Sequence, residues 1–258
     1  MGKIIAITNQ KGGVGKTTTS INVAACLADQ GKKVLLVDMD PQGNATSGVG
    51  IIRNELENTV YELLLGECSS EDCKTECAVK NLDVYPSNAN LSGAEIDLIG
   101  MDEREFILKE ELDKVKDDYD FIIIDCPPAL NLLTVNALVA ADSVMVPIQC
   151  EYYALEGLTQ LLHTINLIQE RLNDRLEIDG VLFTMYDTRT NLSAEVVENV
   201  RDNIHLHIYG TIIPRNVRLA EAPSYGLPIH MYDKKSAGAE EYEGLAKELI
   251  EKNTMFTL

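Results

Sequence analysis

Short runs of large apolar residues recur along the chain and alternate with longer stretches in which apolar positions return every three or four residues. The runs fall at 3–8, 33–38, 82–85, 121–125, 143–148, 180–184 and 210–213 and are mostly rich in β-branched residues. The periodic stretches predict helices over 17–29, 95–116, 156–172, 193–203 and 237–252. Strands alternating with helices in this way predict an α/β fold, a doubly wound and mainly parallel sheet with helices on both faces. The runs IIAI, VLLV, FIIID and VMVPI are continuous rather than alternating, as strands covered on both sides require, so these are the central strands. No repeat, low-complexity tract or Pro/Ser-rich linker divides the chain. Residues 1–258 are therefore expected to form one domain, with 66–81 its least regular stretch.

The first strand leads through NQKGGVGKTTT into the first helix. Gly12, Gly13 and Gly15 can take backbone angles closed to other residues, so the N–H groups along Gly12, Gly13, Val14 and Gly15 can turn inward around phosphate oxygens at the positive end of the helix. Lys16 then reaches the β- and γ-phosphates, Thr17 offers its hydroxyl to Mg²⁺, and Thr18 adds a hydroxyl for the α-phosphate. The ordinary pattern G-x-x-x-x-G-K-[ST] would begin with glycine at position 10, where this chain has Gln10 followed by Lys11.

Three further acids stand where parallel sheets hold their ligands, at the carboxyl ends of strands. VDMDPQGNAT supplies Asp38 and Asp40; Asp40 is expected to orient the attacking water, since phosphoanhydride hydrolysis needs positioning more than early proton abstraction. Asp125 ends the run FIIID and is expected to hold Mg²⁺ through water.

Composition narrows the picture. The apolar share is 45%, enough for a substantial core, and the formal net charge is −19. That charge excludes a protein that coats nucleic acid with its whole surface, so any DNA contact needs a local basic patch. No stretch approaches the roughly 18 apolar residues of a membrane span and the N-terminus has no signal-peptide pattern, which predicts a cytoplasmic protein. The cysteines at 26, 68, 73, 77, 126 and 150 lie scattered, Cys26 and Cys126 inside apolar runs, and read as reduced thiols; the spacing of Cys68, Cys73 and Cys77 fits no common zinc or iron–sulfur pattern.

KGGVGKTT, DMDPQGN and IIIDCPP follow one another in this order, joined by QCEYYALEGL, TMYDTRTNLS and IPRNVRLAEAPS. With these the chain resembles the ParA/Soj partition ATPases over nearly its whole length, and Lys11 resembles the extra lysine of the deviant Walker A loop in the ParA/MinD superfamily of P-loop NTPases. The resemblance implies ATP and Mg²⁺ as cofactors and an ATP-dependent homodimer in which Lys11 reaches the phosphates of the opposite subunit. It makes Lys11, Lys16 and Asp40 the catalytic residues and brings Pro214 and Asn216 against the adenine. It assigns non-specific DNA contacts to Arg189 and Arg218; Arg215, Lys234 and Lys235 are weaker basic additions read from this chain. It further implies a ParB-like centromere-binding partner that stimulates hydrolysis, and a nucleoid-associated location. A related ATPase that positions another cargo would share the same motifs. A MinD-like protein would instead need a basic amphipathic C-terminal helix for the membrane. Residues 237–258 hold five glutamates against two lysines, and their apolar positions at 239, 242, 245, 246, 249 and 250 predict a helix docked on the protein's own core.

Overall fold

The computed structural model describes residues 2–255, so the last three positions of the acidic tail lie outside it. Strand β1 (Lys3–Ile7) runs through the glycine loop into α1 (Lys16–Asp29) and on to β2 (Val34–Asp38). Three short helices, α2 (Asn44–Gly48), α3 (Val60–Leu64) and α4 (Ser70–Cys73), precede β3 (Thr75–Glu76) and β4 (Leu82–Tyr85). Then come α5 (Ala94–Asp97), α6 (Ile107–Asp113), β5 (Phe121–Asp125), α7 (Leu132–Ala140), β6 (Ser143–Gln149) and α8 (Ala154–Arg171). The described chain closes with β7 (Glu177–Tyr186), α9 (Asn191–Asn203), β8 (Ile208–Pro214), α10 (Val217–Glu221), α11 (Ile229–Tyr232) and α12 (Ala237–Met255).

The strands lie in one sheet in the order β3-β4-β2-β5-β1-β6-β7-β8, parallel throughout except for β3 against β4. Successive side chains of a strand face opposite ways, and both faces are covered. Ile4 and Ala6 of β1 join the core beneath α6, α7, α8 and α9, whereas Ile5 and Ile7 join the core beneath α1 and α12. That double burial explains why the central strands have no polar alternation. From β1 the chain winds to one side, through α1 to β2; from β5 it crosses back through α7 to β6. The strand order therefore reverses around β1, and such a reversal opens a crevice at the carboxyl edge. Register fixes what lines it: Ile7 pairs with Asp125, and Asp125 with Asp38.

The stretch 95–116 is not one helix. Gly100 (φ 91°) and Glu103 (φ 52°) leave the helical region, and Asn136 of α7 donates to the Arg104 carbonyl while accepting the Leu108 N–H. Those bonds satisfy the backbone at the restart of the helix, which charge and length in the sequence do not reveal. The stretch 66–81 is more ordered than its composition implies. It holds α4, closed by a reciprocal Ser69–Asp72 cap, and β3, and Cys73 is buried in the core. The seventh and eighth strands are longer than their apolar runs.

The C-terminal helix packs inward as its periodicity predicts. Tyr242, Leu245, Ala246 and Leu249 are buried, and Tyr242 shares a 3.0 Å hydrogen bond with Thr19 of α1. Lys252 anchors the helix to β7 by a 2.7 Å ion pair with Asp179, whose carboxylate also accepts from Ser143 and Tyr209. Burial by itself would push Asp179 up, but Lys252, Tyr209 and Ser143 together hold it below its ordinary value. A carboxyl lowered in the folded state adds stability that is present above its unfolded value near pH 4 and is lost as pH falls further. Lys252→Met would leave a buried carboxylate without its counter-charge, and should lower stability at pH 7 by about 3 kcal/mol in urea titration.

Candidate active site

The glycine loop is built to leave donors free. Gly13 (φ 75°) and Gly15 (φ 88°) take left-handed angles, and Gly15 caps α1 without any side-chain hydrogen bond. The first-turn N–H groups of a helix have no intrahelical partner. Left uncapped by side chains at the positive end of the helix dipole, they suit a phosphate. The loop is seated from outside: Thr184 donates to the Val14 carbonyl (2.8 Å), Asn9 donates to the Pro147 carbonyl (2.8 Å), and Asn9 Oδ1 accepts the Lys11 N–H (3.0 Å). Gln10, which replaces the usual first glycine, ties the loop to α8 through Thr164 (3.0 Å).

The two lysines of the loop stand in opposite settings. Lys16 is 7% exposed and its ammonium donates to the Lys11 carbonyl at 3.1 Å. Burial lowers its pKa, opposed chiefly by Asp125 and more weakly by Asp40. Lys11 instead reaches outward to Glu151, 2.8 Å away, with both side chains over two-fifths exposed. The residues after Glu151 are Tyr152 and Tyr153, stacked edge to face and 80% and 65% exposed.

The three acids divide their work. Asp38 is fully buried and accepts from the Thr46 N–H (2.8 Å), the Thr46 hydroxyl (2.7 Å) and the Asp40 N–H (3.2 Å), so it organises the turn after β2. Asp125, also fully buried, accepts from Ser20 at 2.8 Å through Oδ1, while Oδ2 has no hydrogen-bond partner. Burial, followed by the charge of neighbouring Asp38, pushes Asp125 up, and the nearby Thr17 and Ser20 hydroxyls pull the other way. A buried carboxylate beside a second one, with an unpartnered oxygen and the Thr17 hydroxyl at hand, fits a hard divalent cation such as Mg²⁺. Asp40 is 8% exposed; its Oδ1 accepts the Gln42 N–H (2.9 Å), and its carbonyl accepts from Gly43 and from Ser87 Oγ, both at 2.8 Å.

Beside the loop lies a cavity of about 270 Å³, bounded by Gly15 and Thr18 on one side and by Met185, Pro214, Asn216 and Tyr242 on others. Asn216 caps α10 by accepting the Arg218 N–H at 2.8 Å. Met185 is held at φ 52° where β7 meets this cavity, an angle uncommon outside glycine.

The loop residues Lys11 to Thr18, Asp40 and Asp125 thus gather at the crevice, with Pro214 and Asn216 in the adjoining cavity. Arg189 and Arg218 stand outside, and neither presents a bare charge. Arg189 forks onto Asp187 at 2.8 and 2.7 Å, and Arg218 holds Glu221 at 2.8 Å and Asp233 at 3.4 Å. Sequence reasoning had no signal for Glu151, Ser20 or Thr184, whose roles rest on residues far away in the chain.

Residues 2–178 match the family model described as an AAA domain. Over 249 residues the chain is 59% identical to the sporulation initiation inhibitor protein Soj of Bacillus subtilis, covering 96% of this chain and 98% of that one. The chain belongs to the ParA/Soj ATPase family. The chromosome partitioning protein ParA of Myxococcus xanthus is 52% identical over 254 residues, covering 98% of this chain and 90% of its own. Among solved structures, a cobyrinic acid a,c-diamide synthase from Mycobacterium smegmatis with a bound ATP analogue and magnesium superposes with a TM-score of 0.86. It is 39% identical, covering 97% of this chain and 95% of that one. The ParA/Soj assignment and the mainly parallel, doubly wound sheet read from the sequence both hold. In this ParA/Soj chain no helix among the described residues is long and apolar enough to cross a membrane.

Proposed function

We propose that this chain is an ATP- and Mg²⁺-dependent partition ATPase that dimerises on ATP, binds DNA without sequence preference at the nucleoid, and hydrolyses ATP when a ParB-like partner stimulates it. The observation that carries this reading is the contrast between the lysines: Lys16 is buried in its own loop, whereas Lys11 is held at the surface by one exposed ion pair. Exposed pairs contribute about 0–1 kcal/mol, so Lys11 leaves Glu151 at little cost when a second subunit offers a triphosphate. The neighbouring Tyr152 and Tyr153 supply large aromatic surface of the kind that anchors interfaces.

Within each subunit the free N–H groups of the loop and Lys16 hold the phosphates, and the cavity at Pro214 and Asn216 receives the base. Thr17 and Asp125 would hold Mg²⁺, which neutralises charge on the β- and γ-phosphates when bound. Asp40 orients water for in-line attack and keeps it from drifting, a positioning role that its backbone anchors serve.

DNA contact follows from Arg189 and Arg218. Their present partners are exposed carboxylates, so exchange of a carboxylate for a DNA phosphate changes little in energy and leaves binding weak and salt-sensitive. The double Arg189→Ala, Arg218→Ala variant in its ATP-bound form should lose affinity on unrelated DNA sequences alike, with the slope of log K against log salt reduced by about 2. Unchanged retention of DNA in a gel shift across a salt series would refute the assignment, and absence of any ATP-dependent DNA binding by the unaltered protein would refute the function.

A further inference from the structure

The chain enters α4 between two thiols. Ser69 caps the helix, so Cys68 is the residue before the cap and Cys73 the fourth residue of the helix. At these two positions an apolar pair ordinarily staples the entering chain to the first turn. The Cys73 N–H donates to the Ser69 carbonyl at 3.0 Å and closes that turn. Cys73 is fully buried, Cys68 is half-buried and packs on the same core, and the two thiols share a hydrogen bond.

As packing, two aliphatic side chains would serve equally well. Two sulfurs in contact add a chemistry that no aliphatic pair has, because a disulfide needs them only about 2 Å closer, a distance that side-chain rotation covers. Among the described residues the other cysteines lack this arrangement. Cys77 donates to the Val79 and Leu82 carbonyls at 3.8 and 3.5 Å, and Cys26, Cys126 and Cys150 are buried.

Reagents reach the pair from one side. Cys68 lines a surface cavity of about 610 Å³ that also carries Glu67, Glu71, Asp72 and Glu111, against Lys114, which pairs with Glu111 at 2.6 Å. Burial, followed by the charges of Glu62 and Asp72, pushes the Cys68 thiol up to about 11, and burial pushes Cys73 higher still. The pair therefore rests as thiols, and its carboxylates repel an anionic reagent and attract a cationic one.

We propose that Cys68 and Cys73 form a redox-modification site, a dithiol that reduces small cationic disulfides and closes into a Cys68–Cys73 bond. The Cys68 thiolate attacks one sulfur of the small disulfide, whose S–S bond breaks, and the released small thiolate takes the proton that Cys68 gave up. The Cys73 sulfur then attacks the Cys68 sulfur and expels the second small thiol, which takes the Cys73 proton. Two electrons pass from the pair to the reagent and two small thiols leave. Contact between the two sulfurs makes the second step intramolecular, so the mixed disulfide does not accumulate.

The reduced full chain is incubated with cystamine, with neutral hydroxyethyl disulfide and with anionic dithiodipropionate, and the products are followed by intact mass and peptide mapping. The unaltered chain should lose two hydrogens, with the bond mapped between Cys68 and Cys73 and reversed by a reducing agent. Cystamine should react about tenfold or more faster than the dianion, with a gap that narrows as salt rises. Cys73→Ala should stop at a stable adduct of one small thiol on Cys68, because the resolving sulfur is gone. Cys68→Ala, a change at a half-buried position, should yield neither the bond nor an adduct at Cys73. The closed form should melt about 5 °C above the reduced one, since the bond restricts the unfolded chain while the staple already holds the sulfurs together. An inert unaltered chain, a bond between any other cysteines, an adduct that accumulates without closing, or no preference for cystamine over the dianion would each overturn the proposal. So would a Cys73→Ala chain that takes up no small thiol, or a closed form that melts below the reduced one. None of these readouts needs nucleotide, so the proposal stands or falls apart from the reading of the crevice.

Discussion

Asp40→Ala is expected to lower turnover of ATP by about 10²-fold or more while leaving nucleotide affinity close to unchanged, so that the ATP-bound dimer accumulates on DNA. The reasoning is geometric. Asp40 sits at the crevice with one carboxylate oxygen held by the Gln42 N–H and its backbone fixed by Gly43 and Ser87. It supplies no contact that seats the loop, so its loss removes an interaction realised when water attacks rather than when nucleotide binds, which lowers kcat without weakening the ground state. Oriented polar groups at a reacting centre are worth about 10²–10³ in rate. Single-turnover phosphate release and equilibrium nucleotide binding, measured side by side, check this. Turnover within about threefold of the unaltered protein, the range of an ordinary surface substitution, would remove Asp40 from the mechanism. Asp38 cannot substitute, because its oxygens are committed to Thr46 and the Asp40 N–H.

The second large effect separates the two lysines of the loop. Lys16→Ala removes a buried ammonium that now donates to the Lys11 carbonyl and would otherwise meet phosphate, so ATP binding itself should weaken. A hydrogen bond to a charged group contributes about 1.5–3 kcal/mol, which corresponds to about 10- to 100-fold in affinity. Lys11→Ala removes a side chain that points away from its own loop and is paired with Glu151, so ATP affinity of the isolated subunit should hold. What it should lose is the doubling of mass on adding ATP in light scattering. Equal loss of nucleotide affinity in both variants would mean that Lys11 serves its own subunit. Dimerisation of Lys11→Ala at normal ATP concentration would mean that the lysine is a surface residue with no role across an interface.

The shape of the glycine loop, the central strands and the placing of acids at their carboxyl ends were legible in the sequence because each depends on neighbours in the chain. Glycines at 13 and 15 admit left-handed angles wherever they stand, continuous runs such as FIIID need cover on both faces, and Gln10 with Lys11 departs from a local pattern. The inward packing of α12 followed from its own helical spacing.

Tertiary structure alone decided what each group meets. Lys11 finds Glu151, 140 positions away, and the Val14 carbonyl is seated by Thr184, 170 positions away. Asp125 is pushed up by burial and by Asp38, a neighbour only because β2 and β5 lie side by side. The stretch 95–116 reads as one long helix but is broken, since Asn136 satisfies backbone groups that helical hydrogen bonds would have used. The division has a physical cause. Backbone angles and hydrophobic period are set within a few residues, whereas charge pairing, desolvation and the partners of polar groups are set by whatever the fold brings within a few ångströms.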